Sequence, residues 1–183
     1  MKKAFLSILM VLCCLIASAQ IPSFKLKPSG EFMTSNYEKY EIYPVKNKTA
    51  HELYQMVCAN IAKVYKSPKD VMSVVEDKSV AIRAFSDNLV ISEKMFGAPI
   101  AYYRCYYNLL FEFKDGKIKV SAPIIDEVYT NTSRDKFSRV ASKYFDKKGK
   151  PKKNKSMDIS RVENEFFLLF CHILEVDDKN DDW

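Results

Sequence analysis

The longest regular pattern in the chain begins at Tyr103. Tyr103, Cys105, Tyr107, Leu109, Phe111 and Phe113 fall on one face of an alternating run. Tyr102, Arg104, Tyr106, Asn108 and Glu112 fall on the other, with Leu110 as the exception. A period of two is the signature of a strand with one buried face. Asp115-Gly116 breaks the run, after which Ile118, Val120, Ala122 and Ile124 alternate with Lys117, Lys119 and Ser121. This predicts a hairpin whose favoured two-residue turn needs positive φ at both central residues. Two shorter β-branched runs, residues 71–75 and 80–85, flank Glu76-Asp77-Lys78 as a second hairpin. Residues 89–92 continue its second strand or add an edge piece, and Gly97-Ala98-Pro99 marks a loop. Residues 38–45, with Tyr40, Ile42 and Tyr43, predict a first strand ending at Pro44.

Two segments switch to the helical period. Leu53, Met56, Val57, Asn60, Ile61 and Val64 form one stripe, opened by the capping box Thr49-Ala50-His51-Glu52 and closed by Ser67-Pro68. Ile159, Val162, Phe166, Leu169, Phe170 and Ile173 predict a last helix to about residue 176, with Asp158 as its N-cap. Phe167, Leu168 and Cys171 widen its apolar face beyond one stripe. Such a helix is buried on two sides or meets another chain, and packing against the N-terminal residues is the simpler solution. Phe137, Val140, Ala141 and Tyr144 predict a short helix after the sheet. Residues 20–37, with Pro22, Pro28, Ser29, Gly30 and Ser35, read as an extended lead. Residues 147–155 read as a basic linker and 177–183 as an acidic tail. The order β-α-β-β-β-β-α over residues 38–176 predicts a single α+β domain, an antiparallel sheet with helices packed on one face.

The first nineteen residues follow neither period. Lys2-Lys3, an apolar run over residues 4–16 and Ala17-Ser18-Ala19 have the layout of a secretory signal peptide. The run is shorter than the ~20 residues that span a bilayer. The expectation is an exported protein that starts at Gln20, resides in the periplasm or at the cell surface, and has no transmembrane span. Cys13 and Cys14 follow Met-Val-Leu, not the small residues of a lipoprotein signal. Loss of Lys2 and Lys3 lowers the formal charge from +6 to +4, and 164 of the 183 residues remain. A chain of that size buries ~70% of its unfolded surface. Cys58, Cys105 and Cys171 sit in apolar segments, where thiols behave as small hydrophobes, and this reading precedes one bridge plus a free thiol.

Motifs for catalysis are scarce. His51 and His172 have no second ligand at metal-binding spacing, so one reads as an exposed first-turn residue and the other as a helix flank. Gly30, Gly97, Gly116 and Gly149 lie too far apart for a phosphate-cradling loop, and there is no Gly-x-Ser-x-Gly elbow. No cofactor or metal is expected. Asp126-Glu127 and Glu163/Glu165 read as solvated surface charge. Two surfaces are candidates for binding. One is the outward hairpin face, Tyr102, Arg104, Tyr106, Asn108, Lys117 and Lys119, whose Tyr/Arg composition is that of interface hot spots and equally that of tyrosines favouring strands and cross-strand pairs. The other is the basic run Lys147, Lys148, Lys150, Lys152, Lys153 and Lys155, able to hold phosphorylated lipid headgroups or acidic glycans. With no interleaved aromatics for base stacking, that run reads first as a flexible solvated loop, and nucleic acid is not an expected partner. The leading functional reading is a non-enzymatic envelope module that binds a protein or glycan through the hairpin face. Alternatives are an envelope hydrolase whose carboxylates converge only in the fold, and an assembly subunit pairing through the last helix.

Three further stretches carry a resemblance: Lys48-Thr49-Ala50-His51-Glu52-Leu53-Tyr54, Tyr65-Lys66-Ser67-Pro68-Lys69-Asp70-Val71, and Phe113-Lys114-Asp115-Gly116-Lys117-Ile118-Lys119-Val120. Over roughly residues 38–128 the chain resembles a family of exported Bacteroidetes proteins whose uncharacterised domain is described as having a TATA-binding-protein-like fold. The resemblance implies a half-saddle sheet. It implies no catalytic or binding residue, because the family's function is unknown and a fold name is not a function.

Overall fold

A computed structural model describes residues 20–95, 98–130 and 132–175. The signal-like segment, Gly97 and the acidic tail lie outside the described residues, and Ala98-Pro99, expected to continue a loop from Gly97, instead open a strand paired with Lys94 and Met95. In chain order the strands are β1 (Lys25–Leu26), β2 (Phe32–Met33), β3 (Tyr40–Pro44), β4 (Met72–Val75), β5 (Ser79–Met95), β6 (Ala98–Lys114), β7 (Lys117–Ser121), β8 (Ile124–Tyr129) and β9 (Arg134–Lys136). The helices are α1 (Ala50–Val64), a single turn α2 (Pro68–Val71), α3 (Phe137–Ser142) and α4 (Ser156–Ile173).

The 17-residue strands β5 and β6 are the spine of an antiparallel sheet. On one side β5 pairs with β4. On the other, β6 pairs first with β7 and then with β8, and these two are flanked by β3 and β9. Residues 89–92 therefore continue β5, after a register shift between Ser86 and Val90. Cys105, Tyr107, Leu109, Phe111 and Phe113 all point inward and are buried, as their alternation predicts. Tyr107 satisfies its buried hydroxyl by pairing with Tyr65 at 3.0 Å. The return strand departs from its predicted face at Ala122-Pro123. Proline lacks the N–H a ladder needs, β7 ends there, and the alternation slips: Ile125 and Val128 are buried, whereas Ile124 is exposed.

The Asp115-Gly116 turn also differs from expectation. Gly116 has φ +75, but Asp115 is not among the residues with positive φ. Tertiary bonds select this geometry. The Asp115 carboxylate accepts the first N–H of α1 from Ala50 at 2.8 Å, and Gly116 N–H donates to Lys48 at 2.8 Å. The turn thus supplements the capping box, which forms as predicted from Thr49 and Glu52.

Helices α1 and α4 pack side by side on the inner face. Buried Asn60 of α1 donates to the Ile173 and Glu175 carbonyls, at 3.2 and 2.8 Å, satisfying the end of α4. The sequence places Asp158 at the N-cap. In the structure α4 starts earlier, at Ser156, and Asp158 is buried in its first turn, 3.2 Å from the Lys155 ammonium. The lead is not simply extended. It forms the β1–β2 ribbon and joins the core through Phe24, Leu26 and Phe32. Phe24 meets Phe170, and Phe32 sits between Phe137 and Phe166. Gly30 (φ +84) crosses α3 so closely that a Cβ would lie 2.6 Å from the Ser138 Cα. The lead therefore covers α4 as expected, but it covers Phe166 and Phe170, and Phe167 and Leu168 remain exposed.

Two predictions test this packing. Phe32→Ala should cost about 3–5 kcal/mol, as for a large core aromatic, read as a lowered urea midpoint. A loss below about 1 kcal/mol would mean that the lead is only draped on the domain. The second concerns Cys105, fully buried with a thiol pushed up to about 12 by desolvation. The thiolate is the reactive form, so Cys105 should stay unlabelled by a thiol reagent at mildly alkaline pH until the protein is unfolded. The half-buried Cys58 and Cys171 should react before it.

Candidate functional site

Since α1, α3 and α4 occupy the inner side, the outer face of the sheet is left without a cover. Its rows follow from the strand registers. Val75, Ser79, Glu112, Lys119 and Ile42 form one row, and Tyr40, Ser121 and Leu110 the next. Arg83, Asn108 and Ile124 form a third, and Phe85 and Tyr106 a fourth. Six large apolar side chains stand at least two-fifths exposed on this face, among them Phe85 at 51%, Tyr106 at 45% and Ile124 at 53%.

A shallow hollow of about 290 Å³ lies at the Tyr106 end, lined by Arg83, Tyr106, Asn108, Asp126, Glu127 and Tyr129. Phe85 meets the Tyr106 ring edge-on at 5.4 Å, and the Arg83 guanidinium lies 5.2 Å from the same ring. These contacts limit the freedom of the tyrosine. Across the hollow, Glu127 accepts hydrogen bonds from the Arg134 guanidinium and from the Tyr129 hydroxyl at 2.8 Å. Arg134 and Tyr129 thereby hold the Glu127 carboxyl below the usual range, and Glu127 in turn raises the Tyr129 phenol. Further along the face, Lys119 pairs with Glu112 at 2.7 Å and lies over the Tyr40 ring.

The predicted hairpin residues are only partly brought together. Tyr106 and Asn108 line the hollow, and Arg104 reaches the Thr130 carbonyl at its edge. Lys117 and Lys119 lie farther off, beside β3. Tyr102 leaves the group. Beyond the bulge at Ser86–Val90, which strengthens the local twist, its ring takes the Arg161 guanidinium of α4 at 5.3 Å. Sequence reasoning missed Arg83, Phe85, Tyr129 and Arg134. Alternation from buried Ala84 was sufficient to place Arg83 and Phe85 outward. The break at Pro123 hid the role of β8.

The basic segment is also not a flexible linker. Asp146 accepts the Lys148 and Lys150 N–H groups at 2.8 and 2.9 Å, Gly149 takes φ +75, and Phe145 bridges to Pro151. Lys147, Lys148, Lys150, Lys152 and Lys153 are exposed, whereas Lys155 is half-buried in its pair with Asp158. His51 is exposed, with Nδ1 2.7 Å from Asp77 and Nε2 2.7 Å from Gln55. Among the described residues no cluster of three His, Cys, Asp or Glu side chains is able to hold a metal, and no helix is long and apolar enough to cross a membrane.

No curated protein matches the sequence. Among solved structures the chain is similar to the crystal structure of a DUF4468 family protein from Bacteroides ovatus ATCC 8483. The identity is 11% and the TM-score 0.47, and the match covers 90% of this chain and 95% of that one. The model of a family described as a domain of unknown function (DUF4468) with TBP-like fold matches residues 40–126, from β3 into β8. Over the matched residues, the antiparallel sheet with its helices on one face agrees with that description.

Proposed function

We propose that the protein is an exported, non-enzymatic binding module of the cell envelope that holds a protein partner on its outer sheet face. The observation that carries this reading is the collection of Tyr40, Ile42, Val75, Phe85, Tyr106 and Ile124 on the one face that no helix covers. Exposed apolar side chains interspersed with charge on an uncovered face are a composition found at interaction sites, and Tyr and Arg are the side chains that most often dominate them. Glu112 and Glu127 already pair with Lys119 and Arg134, and Arg83 and Lys117 outnumber the one further carboxylate, Asp126, so the face is net basic. The complementary partner is an apolar surface with an acidic rim. A glycan would use the hollow at Tyr106 but would leave Tyr40, Ile42 and Val75 unexplained.

The hydrolase reading loses support at the same place. A general acid needs a raised carboxyl pKa, and Arg134 moves Glu127 the other way. Pairing through the last helix has Phe167 and Leu168 in its favour, a smaller exposed set than that of the sheet.

A photo-crosslinking residue in place of Ile124, expressed in the native host, tests the proposal. The expected result is one defined protein adduct that Phe85→Asp and Tyr106→Asp each abolish while the fold is retained. An adduct indifferent to both changes, or none from a correctly exported folded protein, would sink the sheet-face reading.

A further inference from the structure

The end of the molecule formed by the lead, the lysine turn and the start of α4 has a separate chemistry. A cavity of about 690 Å³ lies there, with Lys25, Lys27, Lys148 and Tyr37 on its walls. Its one carboxylate, Glu163, is already taken up by the Lys25 ammonium at 3.0 Å and the Leu26 N–H at 2.9 Å. Asp146 of the turn is likewise occupied by backbone N–H groups. Among the described residues, Lys147, Lys148, Lys150, Lys152 and Lys153 form no ion pair. Their backbone is fixed by the turn, Lys148 lines the cavity and the Lys152 ammonium is held by the Lys143 carbonyl at 3.0 Å, so the segment meets a ligand without the ordering cost of a mobile loop.

Bare positive charge would suit any polyanion. The apolar residues narrow the choice. The two most exposed large hydrophobic side chains among the described residues are Met157 at 78% and Tyr37 at 72%. Both belong to this end. Tyr37 lines the cavity with Lys27 4.2 Å from its ring centre, and Met157 follows the cavity residue Ser156 in the first turn of α4. Lysines flanked by an insertable methionine and an amphipathic tyrosine match a lipid interface, where cations meet headgroups and apolar side chains enter below them. A soluble acidic polymer would leave Met157 in water.

We propose that this end is a membrane-docking surface for anionic phospholipid headgroups. It belongs to the helix side of the molecule and shares with the sheet-face reading only the export of the chain. Each lysine near an anionic surface strengthens partitioning about fivefold.

The test is co-sedimentation of the exported form, Gln20–Trp183, with phosphatidylcholine vesicles with and without phosphatidylglycerol, at low and high salt. Omitting residues 1–19 keeps their apolar run from inserting by itself. Binding is expected only with phosphatidylglycerol, and it should weaken as salt screens the charges. Lys147→Glu/Lys148→Glu/Lys150→Glu, which keeps the backbone bonds of the turn, should weaken it at least about a hundredfold. Tyr37→Asn/Met157→Ser, with asparagine chosen to tolerate the positive φ of Tyr37, should weaken it further at every salt concentration. Phe85→Asp and Tyr106→Asp should bind vesicles normally, so that failure of one reading is distinguishable from failure of the other. Three results would each overturn the proposal: no binding of the folded protein to anionic vesicles, undiminished binding of the triple variant, or indifference to the Tyr37/Met157 changes together with equal binding to dextran sulfate.

Discussion

The architecture depends on burying α4 from two directions. Phe166 and Phe170 meet Tyr107 and Phe111 of the sheet on one side and Phe32 and Phe24 of the lead on the other. Burying each large apolar side chain is worth roughly 1.5–3 kcal/mol, so either surface alone would leave the helix with a substantial unmet demand. The lead has a reciprocal need. Two-residue strands do not hold a ribbon together by themselves, and β1–β2 is secured by its aromatics, by Gly30 crossing α3 and by Glu163 accepting the Leu26 N–H. The Lys25–Glu163 pair, whose ammonium end is open to solvent, is the lesser of the two bonds. The bond from the backbone donor matters more, because an unpaired N–H under the helix would be costly.

That arrangement settles which side of the sheet stays open. With the helices and the lead all drawn to the Cys105–Phe113 side, the opposite rows are stabilised only by contacts within the sheet. Arg83 on Tyr106, Phe85 against Tyr106, and Lys119 between Glu112 and Tyr40 are such contacts. They order the outer face without removing its apolar side chains from water. A sheet that needed only solubility would carry more charge at Ile42, Val75 and Ile124.

Legibility followed the kind of interaction involved. Alternation along β6 and the Thr49–Glu52 capping box depend on neighbours in sequence, and both were readable there. The lead was not, because Phe24, Leu26 and Phe32 have no period of their own and acquire a face only against α4. Ile124 was misplaced for a related reason, since one proline at a strand break reverses the parity of everything after it. Asp115 shows the limit for turns: a bond to Ala50, 65 residues earlier in the chain, selects a geometry that local preference does not. Within the candidate site, Tyr106 and Asn108 were placed by alternation. Arg134 and Tyr129 arrive through β8 and β9, which sequence spacing did not separate.

The lysine run illustrates how composition and position differ. Six lysines in nine residues read as one feature, but they divide in the fold. Lys155 is half-buried, paired with the buried Asp158 and set against the Tyr144 ring, at the point where the turn meets α4. Removing one member of such a pair leaves the other charge uncompensated, so Lys155 belongs to the structure of the helix start. The remaining five gain from that anchor. With Asp146 folding the turn back on itself and Lys155 fixing its exit, their spacing is set by the backbone and not by mutual repulsion. A free chain carrying the same charges would spread them apart, whereas this turn holds them in one ordered segment and sets Lys148 on the cavity wall it shares with Tyr37.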